Sequence, residues 1–566
     1  MTTGARPSDY PPPFAAREFV GEPTDPVDER IEVGILIIGA GPAGLACAIR
    51  IGQLIEEQPE LAERLGDVPV AVVEKGKQPG SHLLSGAVVN PRSLQRLFGG
   101  RYRIADMPSY GPVHGEAVYM LTRRAALRIP PPPTMRNHGN VVFSLSRLGR
   151  WLGERAEEGG ATILPETTAS NLLVSHGRVV GVRTGDKGRG RAGEALGNLE
   201  PGSDLVAKVT VLAEGTQGHL TGVAIDHFGL HGAEPQVWEL GVKEVWKVAK
   251  PLDHIVHTLG WPLRTAKKYR EFGGSFVYPM GDDMLTICMV VGLDYRDADL
   301  SVHDLLQELK THPKMRSMLE GGERVAWGAK TIPSGGFHSL PSSLHAPGLL
   351  LCGDGVGMVN IPTLKGVHYA IESGRLAAEA AVAALQPGST PATSLGSYDA
   401  AVRESFIWSD LHEVRDMRQV FGRGFVVGGA LASAMTVSKG RIELGKLPAE
   451  PDADQPLLRS GRAASYPAPD GVLTFDKLSS VFASGNKTRD DQPNHIRVEQ
   501  RVARDVAELW AHMCPAQVYE VGAEHDDGTV TVQLAPSNCV QCGAITAKGG
   551  RLTPPEGGSG PEYTLT

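Results

Sequence analysis

Apolar residues fall in runs whose lengths and flanks separate strands from helices. Residues 31–57, IEVGILIIGAGPAGLACAIRIGQLIEE, hold one strand's length of apolar residues, a turn through glycines, and a helix-forming stretch with an acidic end. A second apolar run, VPVAVVEKG at 68–76, completes a βαβ unit with an insertion before it. AKVTVLAEG (207–215) and GLLLCGDGVGMVN (348–360) read as buried strands, each ending in a turn that pairs an acid with glycine. Such turns sit at the carboxyl ends of strands, where open α/β sheets bind ligands. The stretch TLKGVHYAIESGRLAAEA starts a helix at about Gly366, and the glycine- and charge-rich residues 185–204 read as an exposed loop.

One run has a different character. GFVVGGALASAMTVS, residues 424–438, carries no charge, yet fifteen residues are too few to cross about 30 Å of hydrocarbon as a helix. Its flanks are basic, with Arg415, Arg418 and Arg423 before it and Lys439 and Arg441 after it. That pattern suits a segment lying in the interface of an anionic leaflet, although a buried core helix carries the same apolar run. Lys267, Lys268 and Arg270 form a second basic edge.

Composition narrows the classes. A chain of 566 residues is long enough for several domains, and a net charge of −8 gives no electrostatic reason to expect a nucleic-acid partner. Three of the six cysteines, Cys514, Cys539 and Cys542, fall in the last 53 residues, which reads as ligation and not as a secreted disulfide framework. Cys47, Cys288 and Cys352 lie in strand or helix patterns and read as inert core residues. Residues 1–30 are rich in proline and acid, lack a signal core or a transit-peptide bias, and read as a flexible tail on a protein of a reducing, cytoplasmic compartment.

Gly39, Gly41 and Gly44 make G-x-G-x-x-G between a predicted strand and a predicted helix. The first glycine permits the tight turn, the second lets a pyrophosphate approach the backbone, the third allows close helix packing, and the helix N-terminus offers free N–H groups to the anion. Glu74 ends the next strand, where a carboxylate accepts from a ribose diol. Asp354, beside Gly353, adds a second acid at a glycine turn suited to the ribityl chain and diphosphate of FAD. The helix opening at Gly366 could face its positive end to the flavin pyrimidine, and Lys365 either tunes that ring electrostatically or caps a surface turn.

Taken with further blocks along its length, the chain resembles the electron transfer flavoprotein-ubiquinone oxidoreductase family from about residue 33 to the end. The carriers include GAGPAGLACAIR, HGNVVFSLSRL, VTVLAEGTQGHL, GGSFVYP, LEGGERVAWGAK, TFDKLSSVFASGNKTRDDQPNHI, CPAQVYE and PEGGSGPEY. The resemblance implies an α/β fold: a Rossmann-like FAD-binding domain with a quinone-binding α+β region and a C-terminal ferredoxin-like domain. The expected bounds are 31–400 for the FAD domain, with the quinone region inserted at about 230–335. A helical, candidate monotopic segment follows at 401–446, then a linker at 447–471 and the iron-sulfur domain at 472–566. It further implies that Gly39, Gly41, Gly44, Glu74, Ser85, Gly86 and Asp354 hold FAD and that Gly273, Gly274, Ser275 and Phe276 meet the quinone. Electrons would pass from reduced electron transfer flavoprotein to a membrane quinone, at the cytoplasmic face of a bacterial inner membrane. Tyr278 and His368 are candidate proton donors to the quinone.

Cys539 and Cys542 form a C-x-x-C chelate and Cys514, before Pro515, adds a third thiolate. The family's run continues to another cysteine, and here that position is Ile545. The alternatives are a [4Fe-4S] cluster with a non-cysteine fourth ligand such as Thr546, a [3Fe-4S] cluster, zinc held with His512, or no metal. Two rival functions stand beside the first: an NAD(P)H-dependent FAD reductase or hydroxylase of the same superfamily, and a non-catalytic flavoprotein partner with a zinc-stabilised module.

Overall fold

The computed structural model describes residues 4–84, 86, 88–281, 283–389, 395–441 and 447–566. Ser85 lies outside the described residues, as does the stretch 442–446 of the expected helical segment. At the centre is a parallel array in the order Leu349–Leu351, Asp204–Leu212, Ile31–Ile38, Val70–Val73, Thr162–Leu164. Strand Ile31–Ile38 is buried on both faces from Val33 onward, which is why its sequence runs apolar without alternation. The chain moves outward from this strand in one direction through Val70 and Thr162, then returns to build the other side through Asp204. The crevice at that switch point lies outside the carboxyl ends of Ile31–Ile38 and Asp204–Leu212, where such sheets bind ligands. Helix Pro42–Glu57 crosses the long helix Val367–Ala384 so closely that a Cβ on Gly374 would stand 1.9 Å from Ala43 O.

A second, seven-stranded sheet runs Glu323–Pro333, Trp238–Lys247, Met284–Gly292, Gly273–Pro279, Ile255–Gly260, Glu116–Leu121, Ala126–Ile129. Five of its strands come from the region expected at 230–335, and two are recruited from far upstream. The C-terminal region adds an antiparallel sheet, Arg501–Ala503, Thr529–Leu534, Tyr519–Glu524, under helix Arg504–Met513. Its core is continuous with that of the seven-stranded sheet: Leu240, Val242 and Trp327 pack in one buried cluster with Trp510, Cys514, Cys539 and Ile545.

Two segments that composition marks as loose are firmly docked. Within the N-terminal tail, Val20–Gly21 pairs in parallel with Leu172–Leu173, and the Thr24 and Asp25 amides donate to Asp204 Oδ2 at 2.7 and 3.0 Å. Asp204 is fully buried, so its carboxylate requires such donors, and the tail supplies them along with Arg183. The expected linker likewise buries Gln455 and Leu457 completely, and inserts Arg462 between Glu271 and Glu308 at 3.2 Å from each. Proline-rich composition signals irregular backbone, which a long-range ion pair can still anchor.

The basic flank before the apolar run also needs correcting. Arg415 and Arg418 are buried, the first donating to Gly440 O at 2.9 Å and the second paired with Asp294 at 2.8 Å. They brace the fold and do not face headgroups. Lys439, Arg441, Lys267 and Lys268 are exposed.

Candidate functional site: a flavin cavity sharing a wall with a three-cysteine pocket

At the switch point opens a cavity of about 290 Å³, its floor made by the glycine turn. Gly39 has φ +106°, and a Cβ there would meet Ala213 O at 2.5 Å. A Cβ on Gly44 would stand 2.0 Å from Gly39 O, so only glycine lets the helix close on the turn. Gly41 differs: the nearest atom to a Cβ is Leu83 Cδ2 at 3.8 Å, and the residue lines the cavity as the cap of helix Pro42–Glu57. Gly39 and Gly44 thus meet steric demands that only glycine satisfies, while Gly41 leaves open space at the helix N-terminus.

Glu74 reaches the same cavity and is fixed by backbone donors, Ala40 N to Oε2 at 3.0 Å and Gly76 N to Oε1 at 2.6 Å. Burial pushes its carboxyl up from the usual range, partly offset by those two N–H groups. Asp354 Oδ1 is buried without a hydrogen-bond partner among the described residues, and burial pushes this carboxyl up to about 6. Gln217 Nε2, on the same wall, is likewise an unpartnered buried donor. Gly86, Gly353 and Gly366 line the cavity, Gly366 as the cap of helix Val367–Ala384. Lys365 belongs to the wall and not to a surface turn: its Nζ donates to Asn137 Oδ1 at 2.7 Å and Thr363 O at 2.9 Å, and burial brings it down to about 8. An open glycine turn at a helix N-terminus, one unpartnered acceptor and one unpartnered donor fit a dinucleotide with a polyhydroxyl linker.

Of the quinone block, Phe276 lines the cavity, and its ring stacks on Tyr278 with centroids 4.3 Å apart. Tyr278 Oη is 2.7 Å from His257 Nε2. Gly273, Gly274 and Ser275 do not line it. A Cβ on Gly273 would strike Val290 O at 2.0 Å and one on Gly274 would meet Thr258 O at 2.6 Å, so both glycines are required by the neighbouring strands. Ser275 Oγ bonds Thr258 Oγ1. His368 packs between Tyr369 and Phe406, away from the cavity wall. Glu239, which no local motif marks, lies on the wall with Oε1 lacking a hydrogen-bond partner and 3.7 Å from Arg418 Nε, and burial raises it to about 7.

The three cysteines come together around a small gap of about 20 Å³, walled by Met513, Ala516, Val518, Val540, Ala544 and Ile545. Burial pushes all three thiols up, Cys542 to about 12, so ligation is what would draw off their protons. Among the described residues no three His, Cys, Asp or Glu side chains form a group fit for a single metal ion. His512 Nδ1 is 2.8 Å from Ala298 O, and the ring is not on the wall of the gap, which removes the imagined zinc ligand. Three thiols that line one gap without converging on a single-ion site are the ligand set of a cluster.

The loop between the last two cysteines is shared. Gln541 and Gly543 line the flavin cavity, while Cys539, Cys542 and Gly543 line the cysteine gap. Thr331, on strand Glu323–Pro333, donates to Cys542 O through N at 2.8 Å and through Oγ1 at 2.9 Å. Lys75 Nζ donates to Gln541 Oε1 at 2.8 Å and Lys330 Nζ to Gln541 O at 3.1 Å. These lysines escape sequence reading because hundreds of residues separate them from the loop they hold.

Comparison with known proteins agrees with this arrangement. Residues 238–332 match the family description "ETF-QO, ubiquinone-binding", and residues 471–564 match "Electron transfer flavoprotein-ubiquinone oxidoreductase, 4Fe-4S". The electron transfer flavoprotein-ubiquinone oxidoreductase of Pseudomonas aeruginosa is 37% identical over 562 residues, covering 94% of this chain and 99% of its own. The mitochondrial protein of that name from Arabidopsis thaliana is also 37% identical, covering 96% of this chain and 86% of its own. Among solved structures, a geranylgeranyl bacteriochlorophyll reductase-like protein from Thermoplasma acidophilum superposes with a TM-score of 0.54 at 16% identity, over 74% of this chain and 94% of its own. The flavin-dependent brominase Bmp2 gives 0.50 at 17%, over 72% and 94%. Those two likenesses are of fold alone. With near full-length identity above one third and both family domains matched in place, this chain belongs to the electron transfer flavoprotein-ubiquinone oxidoreductase family.

Proposed function

We propose that this oxidoreductase takes electrons from reduced electron transfer flavoprotein and passes them, through FAD and an iron-sulfur cluster, to a quinone drawn from one leaflet of a membrane. The observation that carries the reading is the shared wall: one loop, Gln541 to Gly543, bounds both cofactor sites. Bound there, FAD exchanges one or two electrons and the cluster exchanges one at a time. The protein's own work is positional. Gly41 and the free N–H groups of helix Pro42–Glu57 receive the diphosphate, Glu74 and Asp354 accept from hydroxyls, and Lys365 with the Gly366 helix end favours negative charge on the ring. The stacked Phe276 and Tyr278 form the face against which a quinone ring would lie, with the Tyr278–His257 pair holding a proton near it.

Membrane contact is assigned to helix Phe425–Val437. No helix among the described residues is long and apolar enough to cross a bilayer, yet Val427 and Val437 are 52% and 83% exposed. Phe272, just beyond the exposed Lys267 and Lys268, meets Phe421 with ring centroids 4.9 Å apart, so the basic edge and the apolar helix adjoin. This supports an interfacial, monotopic placement, which we assign to the cytoplasmic face of a bacterial inner membrane.

The test is anaerobic. Reduced electron transfer flavoprotein should bleach the flavin and a short-chain quinone should restore it, while NAD(P)H does neither. Bleaching by NAD(P)H would replace this reading with a reductase or hydroxylase of the same fold. No response to either donor would leave a non-catalytic flavoprotein.

A further inference from the structure

The cysteine gap has a closed fourth corner. Ile545 occupies the position after C-x-x-C where a further thiolate would stand, and it is 3% exposed. It packs against Gly550, where a Cβ would come within 2.6 Å of Ile545 Cγ1 and 2.8 Å of Val498 Cγ1. Around it the wall is Ala516, Val518, Val540, Ala544 and Leu552. A water on a fourth iron at this corner would have one side-chain hydroxyl at most to bond, that of Tyr519, whereas a buried water typically makes about three hydrogen bonds.

The nearby oxygen and nitrogen donors are committed elsewhere. Thr546 Oγ1 accepts from Leu552 N at 3.3 Å and is not on the wall. Asn538 Nδ2 donates to Gln517 O at 3.2 Å, and His512 is turned to Ala298 O. Tyr519 is the oxygen-bearing side chain that does line the gap, its ring packed beside Trp510 at 6.3 Å.

We propose that Cys514, Cys539 and Cys542, closed at the fourth corner by Ile545, hold a three-iron [3Fe-4S] cluster and not the four-iron cluster for which the family's domain is named. Three thiolates ligate three irons, one each, and four sulfides bridge them. The centre takes up and releases one electron without gain or loss of iron. This rests on the proposed function only for its role in the relay, since the cluster's composition is measured independently of turnover.

The experiment uses the full-length protein purified anaerobically with its flavin. Iron and acid-labile sulfide in a three-to-four ratio, and an EPR signal present in the oxidised protein that disappears on one-electron reduction, are the expected results. Incubation with ferrous ion and thiol should leave both unchanged, whereas Ile545→Cys should bring iron to four and move the signal to the reduced state. Tyr519→Phe should keep the three-iron signal. Equal iron and sulfide with a signal only on reduction would overturn the proposal, as would conversion of the wild type by ferrous ion, zinc in place of iron, or no metal. Flavin content and quinone turnover on the same samples separate the two readings: a four-iron protein that turns over refutes only the cluster type.

Discussion

Glu239 carries the least expected charge on the flavin cavity wall. Burial is the largest cause of its rise to about 7; Asp294 adds to it and Arg418, 3.7 Å away, opposes it. In the unfolded chain this carboxyl ionises near 4.5, so between that pH and about 7 the folded state holds a proton the unfolded state has released. Folding is penalised progressively over this window, by on the order of 3 kcal/mol once both forms are ionised. Glu239→Gln removes the penalty, so its unfolding midpoint should match the wild type near pH 4 and exceed it by several degrees at pH 8. A difference that does not grow with pH would show that the carboxylate is satisfied by a partner. Asp354 makes a different case, because its unpartnered Oδ1 faces the cavity. Asp354→Ala should fold normally and lose FAD on gel filtration about tenfold more readily, a charged hydrogen bond contributing about 1.5 to 3 kcal/mol. Retention at the wild-type level would take Asp354 out of the flavin site.

At the scale of elements, legibility followed locality. The G-x-G-x-x-G turn could be read because its three constraints, on φ at Gly39, on approach at Gly41 and on packing at Gly44, all act within six residues. The helix starting at Gly366 was read for the same reason. Arg415 and Arg418 were misread because a basic flank looks the same whether its guanidinium groups meet water, lipid or a buried Asp294. Gly273 and Gly274 answer to a constraint that one strand alone does not reveal: the carbonyls of Val290 and Thr258 on neighbouring strands leave no room for a Cβ at either position. The apolar run folds as helix Phe425–Val437, with Val427 and Val437 exposed as the proposed interfacial placement requires. Val427→Glu with Val437→Glu should therefore cut co-sedimentation with anionic phospholipid vesicles several-fold while flavin absorbance stays unchanged. Equal sedimentation would move membrane contact to another surface.

Across the whole molecule, the two cofactor sites are mechanically one. The buried cluster that contains Cys514 and Cys539 also contains Leu240 and Trp327 of the large sheet, so the C-terminal region and the large sheet share one core. The tail closes the same body, with Ala5 O accepting from Leu457 N and Gly549 pressed against Pro7. The loop that joins the cofactors turns through Gln541 at φ +51° and Gly543 at φ +90°. At Gly543 a Cβ would come within 2.7 Å of Thr331 Oγ1 and 2.8 Å of Gln217 Cγ, both on the flavin side. Gly543→Val must then either leave the left-handed conformation, displacing the Cys542 thiol, or push Thr331 and Gln217 into the space for FAD. Iron content and flavin content should fall together in this variant, by a comparable factor, with the fold still compact by scattering. Loss of one cofactor with full retention of the other would mean that the loop deforms on one side alone, and that the shared wall does not couple the sites.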